Sequence, residues 1–104
     1  MASKTMAEMR RAISAIDEQI IVLLGKRMEL IHTIGRHKVE RGLPVPHPRR
    51  DAKVLDDAVS RAEELRIPKR LVERIYALIL AESRAIQERK VKRERRRTGS
   101  ARTS

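Results

Sequence analysis

The sequence predicts an all-α fold of three helices, and three observations support that prediction. Apolar residues recur every three or four positions over most of residues 9–86, as expected for helices that bury one face. This pattern is interrupted at residues 42–48, which contain a glycine and three prolines, and again at Pro68. No segment shows the alternation typical of a strand. With 104 residues and a single aromatic side chain, we expect one domain with a thin aliphatic core.

The first helix is predicted to run from about Met6 to Arg41, because this stretch contains no proline and Gly42 follows it. About 35 residues correspond to about 50 Å of helix, which is longer than a domain of this size can cover. Its apolar stripe therefore calls for a partner chain, most simply a two-fold dimer with the long helices packed side by side. The stripe consists of Met9, Ile13, Ile16, Ile20, Leu23, Ile31 and Ile34.

Two further helices follow, one short and one medium-long. The second is expected to begin near Pro48 or Arg49, since proline suits the first turn of a helix, and to be broken at Ile67 and Pro68. The third is expected to begin at about Pro68 and to run into a charged tail. The residues expected to be buried are Val54, Leu55, Ala58, Ala62 and Leu65 in the second helix and Leu71, Val72, Ile75, Leu78, Ile79 and Ile86 in the third.

The basic residues are concentrated at the C-terminal end. The formal net charge is +11, and residues 89–104 contribute eight Lys or Arg against the single Glu94, a local +7. Thr98–Ser104 are Gly, Ser, Thr and Ala with one Arg, a composition that cannot build a core. We therefore expect a flexible N-terminus at residues 1–5, a helical domain at residues 6–90 and a basic, disordered tail at residues 91–104. A charge run of this kind more often keeps a protein in solution than binds nucleic acid, so nucleic acid is not expected as a partner.

The composition excludes several kinds of chemistry. Because the chain contains no cysteine, disulfides, thiolate metal sites and cysteine nucleophiles are excluded, which fits a reducing cytosol. The longest fully apolar run, Ile20–Leu24, is far too short to span a bilayer, and no N-terminal signal is visible. We expect a cytoplasmic protein that does not enter a membrane.

Two cations lie on the apolar stripe of the first helix. The spacing that links the apolar residues also reaches Arg27 and Lys38, where an unpaired charge would cost several kcal/mol if buried. Two interpretations remain open at this point. The two side chains could snorkel or form internal ion pairs. Alternatively, they could hold a small, multiply charged anion between their charged groups, since the Cα atoms of the two residues lie about 16 Å apart.

Two neutral polar residues interrupt the apolar face of the third helix. Ser83 and Gln87 are one turn apart, and each alone could simply bond to the backbone or to neighbouring side chains. Together with the two cations they predict a polar pocket that offers a hydroxyl and an amide but no nucleophile. The three histidines, His32, His37 and His47, have no carboxylates at metal-ligand spacing, so we interpret them as surface or loop residues and expect no metal.

These residues resemble the all-helical chorismate mutases. The resemblance covers residues 6–90 without a gap and leaves out only the basic tail. It rests on Met9–Asp17 (MRRAISAID), Leu23–Leu30 (LLGKRMEL), Gly35–Lys38 (GRHK), Pro44–Val45, Arg50–Asp51 and Ala81–Gln87 (AESRAIQ). It implies an intertwined homodimer with two active sites and no cofactor. Each site would convert chorismate to prephenate by a 3,3-rearrangement in the shikimate branch that leads to phenylalanine and tyrosine.

The resemblance also implies a role for each site residue. Arg27 and Ser83 would bind one carboxylate of chorismate, while Lys38 and Arg10 of the partner chain would bind the other. Lys38 and Gln87 would donate hydrogen bonds to the ether oxygen whose bond breaks.

Three further positions match the family at the start of the second helix. Asp51 occupies the place of a glutamate that binds the ring hydroxyl, and it is one methylene shorter. His47 stands where aspartate is frequent and would contribute its backbone amide, and Arg50 matches an arginine that lines the site.

Three other functions remain open from the sequence. An isochorismate pyruvate-lyase can use the same fold and the same carboxylate clamps, but its serine position is usually apolar, so Ser83 favours the mutase. A basic helical protein could bind nucleic acid through its tail, and a structural dimer could carry a decayed site.

Because the tail lies beyond Gln87, its deletion is expected to leave mutase turnover within a few fold of the full chain.

Overall fold

The computed structural model describes residues 4–103, and the side chains of residues 4–98. Three helices are present, α1 at Met6–Arg41, α2 at Pro48–Glu64 and α3 at Lys69–Thr103, and no strand occurs within residues 4–103. The predicted all-α fold of three helices is confirmed. The third helix, at 35 residues, is almost as long as the first, at 36, and not medium-long as the sequence suggested.

The first two helices begin with side-chain caps. Thr5 Oγ1 accepts a hydrogen bond from the Glu8 amide at 3.1 Å, and Glu8 Oε2 accepts one from the Thr5 amide at 3.4 Å. This reciprocal pair is a capping box, which satisfies two amides that a helix start leaves without partners. At the start of α2, His47 Nδ1 accepts from the Arg50 amide at 3.1 Å, and Pro48 is the first helical residue.

Both α1 and α2 end in the same hydrogen-bonded turn. At the end of α1 the Leu43 amide donates to the Lys38 carbonyl at 2.8 Å, and the Gly42 amide donates to the Val39 carbonyl. Gly42 has φ 64°, so this end is a Schellman motif with glycine at the left-handed position. At the end of α2 the Ile67 amide donates to the Ala62 carbonyl, and the Arg66 amide donates to the Glu63 carbonyl. Here a non-glycine residue, Arg66, takes the left-handed position, with φ 58°.

The chain forms two compact units, Met1–Leu30 and Ile31–Ser104. The first unit contains the N-terminal part of α1, and within residues 4–30 every side chain except that of Arg27 is exposed in the single chain. The exposed positions include the predicted apolar stripe, with Ile13 at 58% and Leu23 at 62% of full exposure. An isolated helix with an uncovered aliphatic face is marginally stable in water, so this unit needs a covering surface.

The second unit packs α2 against α3. Ala62 and Ile86 are its two buried apolar residues among the described side chains, and several of the other predicted core positions are half-buried. Leu65, Leu71, Ile75 and Leu78 were expected to be buried but are exposed in the single chain. Two helices and the end of a third present too little surface to cover every apolar position of α3.

The last part of α3 lies in the region where a disordered tail was expected. The helix continues through residues 91–103, and Val91 and Glu94 are half-buried. Glu94 also accepts a hydrogen bond from Arg97, one turn further on, at 2.6 Å, so that one cation of this segment has an anionic partner. Apolar burial at Val91 and this ion pair oppose the repulsion between neighbouring cations.

Arg66 provides a test of the α2 end. A residue with a Cβ in the left-handed conformation is strained by about 1–2 kcal/mol, whereas glycine is not, although glycine costs more chain entropy. We expect Arg66→Gly to raise the free energy of unfolding by about 0.5–1 kcal/mol, measured by urea denaturation. Arg66→Ala keeps the Cβ and is the matched control, for which no gain is expected. An equal gain in both variants would assign the effect to the lost charge.

Candidate active site

The middle of α3 carries two buried polar side chains. Ser83 and Gln87 are 8% and 7% exposed. The Ser83 hydroxyl donates to the Ile79 carbonyl at 2.8 Å, and Gln87 Nε2 donates to the Ser83 carbonyl at 3.2 Å. Gln87 Oε1 is buried without a hydrogen-bond partner, and the amide nitrogen has a second hydrogen to donate. The predicted pair thus lies together, with amide capacity left for a ligand.

Gly35 of α1 allows the end of that helix to approach α3 closely. It is buried, and a Cβ built on it would lie 2.8 Å from Lys90 Cδ and 3.6 Å from Gln87 Cα. The first distance is too short for an ordinary contact but involves the flexible Lys90 stem, and the second is an ordinary contact. A methyl group would therefore only displace Lys90, whereas a larger side chain would meet the α3 backbone. Sequence reasoning did not assign this role to Gly35, although a glycine inside a helix without a capping function was a signal for it.

Lys38 follows Gly35 by three residues and is held at the end of α1. Its Nζ donates to the Val45 carbonyl at 2.8 Å, and its own carbonyl accepts from the Leu43 amide at 2.8 Å. The side chain is half-buried. An ammonium has three hydrogens, so the bond to Val45 leaves two of them for an anion.

The first turn of α2 meets α3 beside Ser83. Asp51 Oδ2 accepts from Arg84 Nη2 at 3.3 Å, and the two side chains are 34% and 48% exposed. This contact adds little stability, because a partly exposed ion pair contributes about 0–1 kcal/mol, but it places the Asp51 carboxylate against α3 in the structure. Arg84 was absent from the predicted site residues. Nothing in the local pattern pairs two residues that are 33 positions apart.

His47 and Arg50 lie on the exposed surface. Their interaction is the cap described above, so His47 is a surface residue, as predicted, with a structural role as well. His32 and His37 are also exposed. Within the described residues no group of three or more His, Asp or Glu is arranged to hold a metal ion.

The remaining two predicted residues, Arg10 and Arg27, belong to the first unit. Arg10 is exposed and Arg27 is half-buried. They are 17 residues apart on one continuous helix, which separates them by about 25 Å. The two guanidinium groups therefore cannot bind the same small molecule from one chain.

The arrangement has the chemistry of a binding and positioning site. In the second unit it offers the hydroxyl of Ser83, the amide of Gln87, the ammonium of Lys38 and the carboxylate of Asp51. A serine without an adjacent base is a poor nucleophile. Such a set can hold an anion and stabilise negative charge that develops on it.

Comparison with known proteins decides the family. The sequence model described as chorismate mutase type II matches residues 9–88, which include every predicted site residue. The chain belongs to this family. None of the described helices has the length and apolar content needed to cross a bilayer.

Relatives of the family carry different names. The chain is 35% identical to a T-protein of Enterobacter agglomerans over 72% of its own length and 20% of that protein. It is 24% identical to a chorismate mutase of Methanocaldococcus jannaschii over 80% of the chain and 84% of that protein. It is 33% identical to an isochorismate pyruvate lyase of Pseudomonas aeruginosa over 72% and 73% of the two chains. The chain thus spans about a fifth of the length of the T-protein and most of the two smaller relatives.

The approach at Gly35 yields a prediction about stability. Gly35→Ala requires only the flexible Lys90 stem to shift, and the better helix propensity of alanine, about 0.8–1 kcal/mol, offsets that strain. Gly35→Leu brings a large side chain against the α3 backbone, and we expect it to lower the free energy of unfolding by about 1–3 kcal/mol. Urea denaturation of the two variants checks this, and equal stabilities would contradict a close approach.

Proposed function

We propose that the protein is a chorismate mutase, which converts chorismate to prephenate in the branch toward phenylalanine and tyrosine. The observation that carries the proposal is the buried Gln87 amide on α3, opposite Gly35, whose Nε2 donates one hydrogen to the Ser83 carbonyl and keeps a second hydrogen to donate. Lys38 follows on the next turn of α1. A neutral donor and a nearby ammonium, with no nucleophile and no acid or base pair, suit a reaction that transfers no proton.

The rearrangement is unimolecular, so an enzyme needs only to hold chorismate in a compact conformation and stabilise charge in the transition state. Negative charge grows on the ether oxygen as its bond breaks. We assign Lys38 and Gln87 as donors to that oxygen. Loss of one such preorganised donor typically lowers the rate by about 100- to 1000-fold.

The other residues bind the two carboxylates and the ring hydroxyl. We assign Arg27 and Ser83 to one carboxylate, and Lys38 with Arg10 of a second chain to the other. Asp51 would accept from the hydroxyl, and the Arg84 contact to one of its oxygens leaves the second oxygen for this role. Arg50 and the backbone of His47 would line the site at the start of α2.

The second chain is required for two reasons. Arg10 cannot reach the site of Arg27 in its own chain, because about 25 Å of helix separates them. The apolar stripe of the first unit is also exposed along its whole length. We therefore propose an intertwined two-fold dimer in which the stripes cover each other and Arg10 completes the partner's site.

Isochorismate pyruvate lyase is the second candidate, and the relative in Pseudomonas aeruginosa supports it. Both reactions need clamps for two carboxylates. The hydroxyl of Ser83 favours the mutase, because the lyases usually have an apolar residue at this position.

One assay separates the candidates. Purified protein is given chorismate or isochorismate in separate reactions, and loss of substrate is followed by absorbance with identification of the product. Prephenate from chorismate supports the mutase, and salicylate with pyruvate from isochorismate supports the lyase. If neither substrate is converted, both proposals fail and the nucleic-acid alternative gains support, for which binding should weaken steeply with salt.

A mixing experiment tests the shared site. Arg10→Ala and Arg27→Ala should each be nearly inactive, because each removes a carboxylate clamp from both sites of its dimer. Unfolded and refolded together, they should form about half heterodimers. Each heterodimer has one site with both arginines intact, so activity should recover to about a quarter of wild type, assuming independent sites.

The matched control mixes Arg27→Ala with Lys38→Ala. These two residues are assigned to the same chain's site, so no heterodimer contains an intact site and no recovery is expected. If the Arg10 mixture forms heterodimers and stays as inactive as its parents, Arg10 does not act across the interface.

A second prediction concerns pH. The Gln87 amide does not titrate, so wild-type activity should be nearly flat from about pH 6 to 9. In Gln87→Glu the carboxyl must be protonated to donate, and its ordinary pKa is about 4.3. Turnover of this variant should therefore rise as pH falls toward 5. Gln87→Met, with no donor and no charge, should be slow at every pH, and a flat profile for Gln87→Glu would remove Gln87 from the ether oxygen.

A further inference from the structure

The family match ends at residue 88, but α3 continues to Thr103. The spacing that places Ser83 and Gln87 on one face of α3 reaches Val91, Glu94 and Thr98 next. Val91 and Glu94 are half-buried, as expected if this face stays covered. The turns beyond the family match therefore extend the face of α3 that carries the site.

The connection between α1 and α2 and this extension together line two adjacent grooves, of about 560 Å³ and about 430 Å³. Leu43 and Pro44 of the connection and Val91 and Arg95 of α3 line both grooves. Residues common to two adjacent grooves form the ridge between them. Val91 is the one apolar residue that α3 contributes to this ridge.

The same connection holds Lys38 at two points. The Lys38 carbonyl accepts from the Leu43 amide, and the Lys38 ammonium donates to the Val45 carbonyl, both at 2.8 Å. Leu43 and Val45 flank Pro44, whose ring restricts the backbone between them. A contact that holds Leu43 and Pro44 against α3 therefore also holds the Lys38 side chain in its direction.

We propose that Val91 is a positioning residue, which anchors the connection at Leu43 and Pro44 and thereby orients the Lys38 ammonium for the reaction. The effect on catalysis rests on the proposed function, whereas the anchoring of the connection does not. Arg93 and Arg96 of the extension line neither groove and take no part. The dispensable tail therefore begins after Thr98 and not at residue 91.

The test compares point variants and truncations by steady-state kinetics with chorismate. Val91→Ala removes apolar contact with the connection, and we expect kcat to fall about 3- to 10-fold with KM within twofold, because Lys38 acts most strongly in the transition state. A chain that ends at Lys90 should lose at least as much. Val91→Ile keeps the contact, and both Arg96→Ala and a chain that ends at Thr98 leave the ridge intact, so these three should match wild type.

Hydrogen exchange supplies a readout that does not depend on activity. The Leu43 amide is bonded to the Lys38 carbonyl, so its exchange should be faster in Val91→Ala than in wild type or Val91→Ile. An unchanged Leu43 exchange rate overturns the anchoring, and unchanged kcat in both Val91→Ala and the chain ending at Lys90 overturns the link to catalysis. A loss seen only in KM also contradicts it. If the wild-type chain converts no chorismate, the proposed function fails, and the exchange experiment still decides whether Val91 anchors the connection.

Discussion

The close approach of α1 to α3 at Gly35 is the constraint on which the rest of the second unit depends. A side chain there would meet Lys90 at 2.8 Å and come within 3.6 Å of the Gln87 backbone, so larger residues would push the helices apart. Lys38, one turn further on, lines a groove together with Val91 and Glu94, which continue the face of α3 that carries Ser83 and Gln87. The Schellman turn at Gly42 then directs the chain back toward α3, and the bond from Lys38 to the Val45 carbonyl joins the helix end to that turn.

The cations assigned to the site and its neutral polar groups lie on different helices. Arg10, Arg27 and Lys38 lie on α1, while the buried polar side chains of α3, Ser83 and Gln87, are neutral. On the proposed function the cations become hydrogen-bond donors to the carboxylates of a dianionic substrate. In the same proposal a second chain covers the exposed stripe of α1 and also completes the site.

Much of the local structure was predictable. The predicted bounds of α1 agree with the structure, because a proline-free periodic segment that ends at Gly42 leaves few alternatives. The pairing of Ser83 with Gln87 follows from their spacing of one turn. The exposure of Leu71, Ile75 and Leu78 in the single chain was not predicted, because periodicity shows which face is apolar and not which surface covers it. The roles of Arg10, Arg27 and Lys38 in catalysis stay predictions from the family.

The sequence by itself determined the three helices, their caps, the apolar stripe and the placement of cations on it, since each depends on residues within about five positions of one another. Only the tertiary structure decided that Gly35 lies against Gln87, that Asp51 pairs with Arg84 and that Val91 lines the same groove as the connection after α1. It also extended α3 through the basic residues where disorder was expected. These contacts join residues that are distant in sequence, and their formation depends on how whole helix surfaces fit together, which local periodicity does not encode.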